Sequence, residues 1–273
     1  MTRHRAFRSL HACILIAAAA MSLPAANAAE RVGEVVRTSV QVTGQSGALS
    51  KGDAIFRDER IRSNASGTGA FVFEDGTKLA LGPNSTIVID EYVYRGGAKV
   101  EKLAVGATKG TLRWISGKSE SSAYRITTPS GTLGVRGTAF DIYVAPDGLT
   151  AVTLLTGAAE FCTRQRCEQL TRRCQFLIAR PDGSITRPRG IVRDIGIRTR
   201  GDDAFPFLSG KAGVPRGFKS TSSCAGLTRA ATTGSGGSVT DPQQPSAAPR
   251  PAPTPPPSRS PNNPDSPNNG PRQ

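Results

Sequence analysis

Residues 70–81 read Ala-Phe-Val-Phe-Glu-Asp-Gly-Thr-Lys-Leu-Ala-Leu, and this dozen decides the fold class. Asp75-Gly76 is a strong signal for a two-residue hairpin turn, because both central positions of that turn need positive φ. Phe71 and Phe73 alternate on one side of the incoming strand, and Leu79 and Leu81 answer them across the hairpin. Gly82-Pro83-Asn84 then stops the chain before a further strand over residues 86–90.

The same grammar extends outward. It recurs at residues 110–115, 123–128 and 138–144, where Phe140, Ile142 and Val144 face one way and Asp141 and Tyr143 the other. A Pro146-Asp147-Gly148 turn leads to strands over 150–155, 158–162, 167–170 and 174–179, and Pro181-Asp182-Gly183 turns the chain again. Residues 31–187 have no helical period. The pattern predicts an all-β domain of many short antiparallel strands, arranged as a sandwich, a jelly-roll-like fold or a short β-solenoid. Trp114, inside an apolar strand, is expected in the core.

The flanks read differently. Arg3, Arg5 and Arg8 precede a short apolar run broken by Pro24, and Ala26-Asn27-Ala28 fits a signal-peptide cleavage site. The run is too short to span a bilayer, and no later stretch is apolar enough to do so. Cleavage after Ala28 would leave a periplasmic or secreted chain whose net charge falls from +14 to +11. Four segments are expected: signal peptide 1–28, β-domain 29–188, an irregular extension 189–227 and a tail 228–273. In the extension, Asp202-Asp203-Ala204-Phe205 is expected to form one helical turn. The tail is rich in Pro, Ser and Asn, too polar to offset its ordering entropy, and predicted to be disordered.

Composition removes whole classes of chemistry. Both histidines, His4 and His11, lie in the expected leader, which leaves no Ser/His/Asp triad, no Cys/His pair and no histidine-ligated metal. Cys162, Cys167, Cys174 and Cys224 are even in number, without C-x-x-C spacing, in an exported chain; disulfides are the natural reading. Three pairings are possible, and the short loop 163–166 favours Cys162 with Cys167 and therefore Cys174 with Cys224. Glu74, Asp75, Asp90, Glu91 and Asp141 are the carboxylates open to glycoside chemistry, although Asp75 is explained by its turn and Asp90-Glu91 by a strand end. The expectation is no enzyme and no cofactor.

One block is more specific: residues 124–129, Tyr-Arg-Ile-Thr-Thr-Pro, followed by residues 131–140, Gly-Thr-Leu-Gly-Val-Arg-Gly-Thr-Ala-Phe. Together with the residue 73–77 turn, Gly82-Pro83-Asn84-Ser85 and residues 110–113, it resembles the FecR domain over about residues 32–160. In the best-known members of that family a periplasmic domain, joined by one membrane helix to a cytoplasmic segment, relays a signal from an outer-membrane receptor to a sigma factor. Here a signal peptide stands where that helix would be, so the resemblance implies a stand-alone exported FecR-domain protein with no direct reach to a sigma factor. Within the block, Gly134 and Gly137 suit tight turns or close backbone approach. Arg136 suits either local carbonyls and carboxylates or a partner's carboxylate.

Residues 162–200 hold ten arginines against Glu168, Asp182 and Asp194, a local excess of +7. Arg164, Arg166, Arg172 and Arg173 join Arg136 as candidate partner-binding residues, the alternative being a solvated face. Nucleic acid fits poorly, since no aromatic stacking motif accompanies the arginines. The resulting expectation is a non-catalytic binding or scaffolding module that takes an envelope protein, or an anionic glycan or lipopolysaccharide. The alternatives are a periplasmic regulator in sigma/anti-sigma signalling and a histidine-free carbohydrate-active enzyme.

Overall fold

Alternating apolar and polar residues form strands, and the glycines between them decide where those strands bend. The structure is a computed structural model that describes residues 29–97, 99–191, 196, 198–219 and 224. The expected signal peptide and tail lie outside the described residues. In chain order the strands are β1 (Arg31–Ser39), β2 (Val42–Gly44), β3 (Gly47–Ala48), β4 (Ala54–Phe56), β5 (Arg60–Ser63), β6 (Thr68–Phe73) and β7 (Lys78–Leu81). They continue with β8 (Thr86–Gly96), β9 (Lys99–Ile115), β10 (Tyr124–Thr128), β11 (Gly131–Val144), β12 (Thr150–Cys162), β13 (Cys167–Leu170), β14 (Gln175–Ala179) and β15 (Arg189–Gly190).

All fifteen belong to one open, mixed sheet. The 70–81 hairpin is β6 and β7, with Phe71 opposite Leu79; its turn is three residues long rather than two, since Phe73 N donates to the Thr77 carbonyl at 2.8 Å and only Gly76, at φ 82°, takes positive φ. The expected all-β architecture is present, and it departs from a pattern of short antiparallel strands in two details. β9, β11 and β12 run for 17, 14 and 13 residues, because glycines that read as strand ends are bends inside continuous strands. β10 also pairs in parallel with β9, from Tyr124 opposite Leu103 to Thr127 opposite Gly106.

The bends have clear causes. Gly110 sits at φ 85°, where a Cβ would lie 2.2 Å from Ser85 Oγ and 2.5 Å from its Cα. Gly157 sits at φ 78°, with a virtual Cβ 2.6 Å from the Gly137 carbonyl, where the β11–β12 register shifts between Arg136 and Ala139. Gly134 differs: its virtual Cβ finds nothing nearer than 3.8 Å, so the close approach expected there is absent. Gly157→Ala should therefore cost about 1–2 kcal/mol from the left-handed backbone alone, and more from the clash. Gly134→Ala should stay within about 0.5 kcal/mol of wild type. Denaturant midpoints measured on the two variants test the contrast.

Through these bends the sheet doubles back on itself. The first layer holds β5, β8, the first half of β9, β10, the first half of β11, the second half of β12 and β13; the second holds β14, the remaining halves of β12, β11 and β9, then β7, β6, β1 and β4. The ends meet where Ser130 Oγ donates to the Gly148 carbonyl at 2.7 Å and Thr150 Oγ1 donates to Thr128 Oγ1 at 3.0 Å. Between the layers lies one apolar core. Leu103, Ile126, Leu133 and Phe161 come from one side and Leu79, Trp114, Phe140 and Leu154 from the other.

The outer face of the second layer is covered as well. After β15 the chain crosses it as a strap, residues 198–219, with α1 (Gly201–Ala204) and α2 (Pro206–Ser209). Asp202 and Asp203 favour the start of α1. Pro206 opens α2, and Gly210 closes it at φ 80°. Ala204, Phe205 and Leu208 pack on Ala151, Leu155, Phe176 and Ile178, while Phe207 and Phe218 pack on Ala70 and Ala80. The helical turn expected near Asp202 is present, and a second turn follows it.

Candidate functional site

The β6–β7 turn leaves Asp75 buried, 1% exposed, and among the described residues no cation pairs with it. Its carboxylate instead accepts hydrogen bonds from Thr77 N and Thr77 Oγ1, from Ser119 Oγ at 2.9 Å and from Tyr124 OH at 2.6 Å. Four donors hold the charge that water would otherwise hold. Burial, then the bond to Asp75, pushes the Tyr124 hydroxyl's pKa up and keeps it a donor. Asp75 is thus the knot joining the hairpin to the loop before β10, and no face of it is open to a substrate.

The second charged feature is Arg113 with Asp141, cross-strand neighbours on β9 and β11. Arg113 Nε donates to Asp141 Oδ1 at 2.7 Å and Nη2 to Oδ2 at 2.8 Å, a fork-to-fork pair with side chains 3% and 0% exposed. Burial pushes the Asp141 carboxyl up, and the Arg113 guanidinium opposes that push. Alternation explains the placement: Leu112 and Trp114 face the core, so Arg113 faces out, under the strap. There its guanidinium lies 5.4 Å from the Phe207 ring centroid, and Nη1 reaches the Phe218 carbonyl at 3.5 Å. No sequence motif marks this arginine, and the fork expected to meet local carbonyls, a carboxylate or a partner was that of Arg136. The available signal was a lone Arg and a lone Asp in two apolar, alternating strands.

Arg136 lies exposed at the β11 bulge, and among the described residues its guanidinium has no hydrogen-bonding or ion-pairing partner. It contacts neither the local carbonyls nor the carboxylate that were weighed for it. Arg164 and Arg166, in the β12–β13 loop, are partly engaged. Arg164 Nη2 donates to the Pro181 carbonyl at 2.8 Å, and Arg166 donates to the Ile185 carbonyl and pairs with Glu168 at 3.4 Å. Arg172 and Arg173 stand exposed in the turn between β13 and β14. The candidates therefore do not converge on one pocket: Arg164 and Arg166 share a loop, Arg172 and Arg173 a turn, and Arg136 its own bulge.

Disulfides join Cys162 to Cys167 across the ends of β12 and β13 and Cys174 to Cys224 across the strap. Both fit an oxidising, extracytoplasmic compartment. Glu160 lies within 4.8 Å of the first pair, but sulfurs bonded to each other offer no thiolate to a metal. The other weighed carboxylates are each engaged, Glu74 with Arg31, Glu91 with Lys102 and Asp90 with Thr127. A cleft of about 580 Å³ opens between the sheet and the strap, lined in part by Lys109, Thr111, Tyr143, Asp203, Pro206 and Lys211. Lys211 is already paired with Asp202 at 2.8 Å and Asp203 at 2.5 Å. No helix among the described residues is long and apolar enough to cross a membrane.

Residues 59–160, from the start of β5 almost to the end of β12, match the family described as FecR protein. This segment contains Asp75, the Arg113–Asp141 pair and Arg136. Two crystal structures of a "putative anti-sigma factor" from Parabacteroides distasonis ATCC 8503, at 2.50 and 1.65 Å resolution, are similar to the chain at 18% and 17% identity. Their TM-scores are 0.44 and 0.42, over 57% and 56% of this chain. The chain spans 65% of each of them, less than two thirds. No curated protein matches.

Proposed function

We propose that this chain is an exported, non-catalytic regulator of bacterial cell-surface signalling, which acts by docking a protein partner on the outer face of its first layer. The match of residues 59–160 to the FecR family carries the reading, and it favours regulation over a purely scaffolding role. The chemistry of the domain agrees, because the three buried carboxylates of residues 59–160, Glu59, Asp75 and Asp141, are consumed by internal bonds rather than aimed at a cleft. In this reading the leader is removed after Ala28, the product works in the periplasm, and Arg136 meets a carboxylate of the partner. Arg164, Arg166, Arg172 and Arg173 form an outlying basic rim that steers encounter more than it sets affinity. Arg136, exposed and without a partner among the described residues, fits the contact with a carboxylate, since its fork can take one in two parallel bonds.

The test is in-cell photo-crosslinking, with the crosslinking residue placed at Arg136 and, in a second chain, at Lys51 as a control position. Arg125 is exposed on β10, opposite Gly134 of the strand that carries Arg136; capture of a receptor or a membrane-bound anti-sigma regulator from position 136 and not from 51, lost when Arg125 is also replaced by Glu, is the expected result. Capture of glycan or wall material, or equal capture from both positions, would overturn the proposal.

A further inference from the structure

The strap covers a face that is not built like a core. The inner faces of both layers are dominated by apolar side chains, with Tyr92 and Tyr124 the tyrosines among them, whereas the face under the strap mixes Ala70, Ala80 and Ala151 with Lys78, Thr111, Arg113, Asp141, Tyr143 and Thr153. Its ion pair is complete within the sheet, since both partners of the fork come from β9 and β11. Lifting the strap would therefore return a paired Arg and Asp to water and orphan neither, which relieves the desolvation that burial imposes. Thr153 Oγ1, opposite Asp141, is buried there with no hydrogen-bond partner, and it too would gain from water.

The strap's own attachments are sparse. Thr111 Oγ1 donates to the Ala204 carbonyl at 2.8 Å, Lys78 Nζ to the Gly217 carbonyl at 3.0 Å, and the Tyr143 and Thr199 hydroxyls share a bond at 2.9 Å. Phe205, Phe207 and Phe218 supply the apolar anchors, and the cleft between Tyr143 and Pro206 leaves part of the seam unfilled. Both ends are fixed at one residue: Ile191 N donates to the Cys174 carbonyl at 2.9 Å, and Cys224 is bonded to Cys174. The strap leaves the sheet at Cys174 and returns to it.

We propose that this face is a docking surface for an aromatic, carbonyl-presenting segment, that the strap occupies it in cis, and that the Cys174–Cys224 disulfide latches the strap in place. A dithiol reductant opens the latch: the S–S bond takes up two electrons and two protons to give two thiols, and the reductant leaves as its own disulfide. The occupant of the vacated face is the strap of a second copy of this chain, because the Phe207 and Phe218 sites and the donors Lys78, Thr111 and Arg113 already match it residue by residue. Closing the latch raises the effective concentration of the cis strap above anything a free copy can supply. The inference concerns the opposite layer from Arg136 and stands independently of the function proposed above.

The test uses the full chain with the latch opened permanently by Cys224→Ser and a fluorescent synthetic peptide of residues 198–219. Relative to the oxidised wild type, the variant should bind the peptide at least tenfold more tightly and be cut by trypsin at Arg198, Arg200, Lys211 and Arg216 at least tenfold faster, with the near-UV signal of Trp114 retained. Equal affinity and equal cutting in a folded variant would overturn the proposal. Should Cys224→Ser lose the Trp114 signal, Phe207→Ser/Phe218→Ser with the latch intact takes its place. That chain should bind the peptide more tightly than wild type, and no gain would be the overturning result.

Discussion

An Asp141→Ala chain is expected to unfold about 3–5 kcal/mol more easily than wild type, the cost of stranding one member of a buried ion pair. The Arg113 side chain is 3% exposed, so its charge would stay buried without a counter-charge. Without Asp141 its only polar contact from the described residues is the long one to the Phe218 carbonyl. Arg113→Ala should cost a similar amount by stranding Asp141, whose pKa burial already raises. The double variant Arg113→Met/Asp141→Leu separates the two possible meanings. Apolar residues of similar volume in both positions should restore stability to within about 1 kcal/mol of wild type, or exceed it, because neither charge then needs desolvating. Urea melts of the three chains decide the matter. A double variant as unstable as the singles would mean that the pair itself, rather than the orphaned charge, contributes the stability.

Trp114→Ala should lose about 3–5 kcal/mol, the range for deleting a large aromatic side chain from a packed interior. Trp114 is fully buried and lies between the layers, with Phe140 stacked on it at 6.3 Å, Tyr124 edge-on at 5.7 Å and Phe73 at 6.4 Å. Its Nε1 donates to Ser116 Oγ at 3.2 Å, so the polar end is also satisfied. Because Tyr124 also holds Asp75, the loss should spread to the hairpin knot. Trp114→Phe keeps most of the apolar contact and should lose clearly less than Trp114→Ala. Matched thermal and urea unfolding, followed by far-UV circular dichroism, measure both.

How much of this was legible beforehand follows from what each residue had to do. The hairpin over residues 70–81 could be read because Asp-Gly marks a turn and Gly76 takes the one positive φ there, whereas the three-residue length of its loop is set by the Phe73–Thr77 pairing and could not. The alternation of Phe140, Ile142 and Val144 against Asp141 and Tyr143 was equally plain, since one face had to be dry. The first half of β9 was invisible: Ala104, Gly106 and Ala107 carry little strand propensity, and their place depends on β8 and β10 beside them. Gly110 opens an expected strand, Gly157 falls between two expected strands and Gly137 suits a turn, because the sequence alone cannot tell a turn from a bend. Arg113 escaped notice since its partner is 28 residues away and only the register of β9 on β11 brings them together. The strap gave no periodic signal at all, being two single turns whose phenylalanines meet a face assembled from six distant strands.

The three long strands carry a last consequence for how the molecule comes apart. β9, β11 and β12 each begin in one layer and end in the other, so neither layer owns a complete set of strands. Unfolding one layer would pull the same backbone out of its neighbour. The two layers should accordingly melt as a single cooperative unit, with one transition in heat or denaturant and no half-folded plateau between.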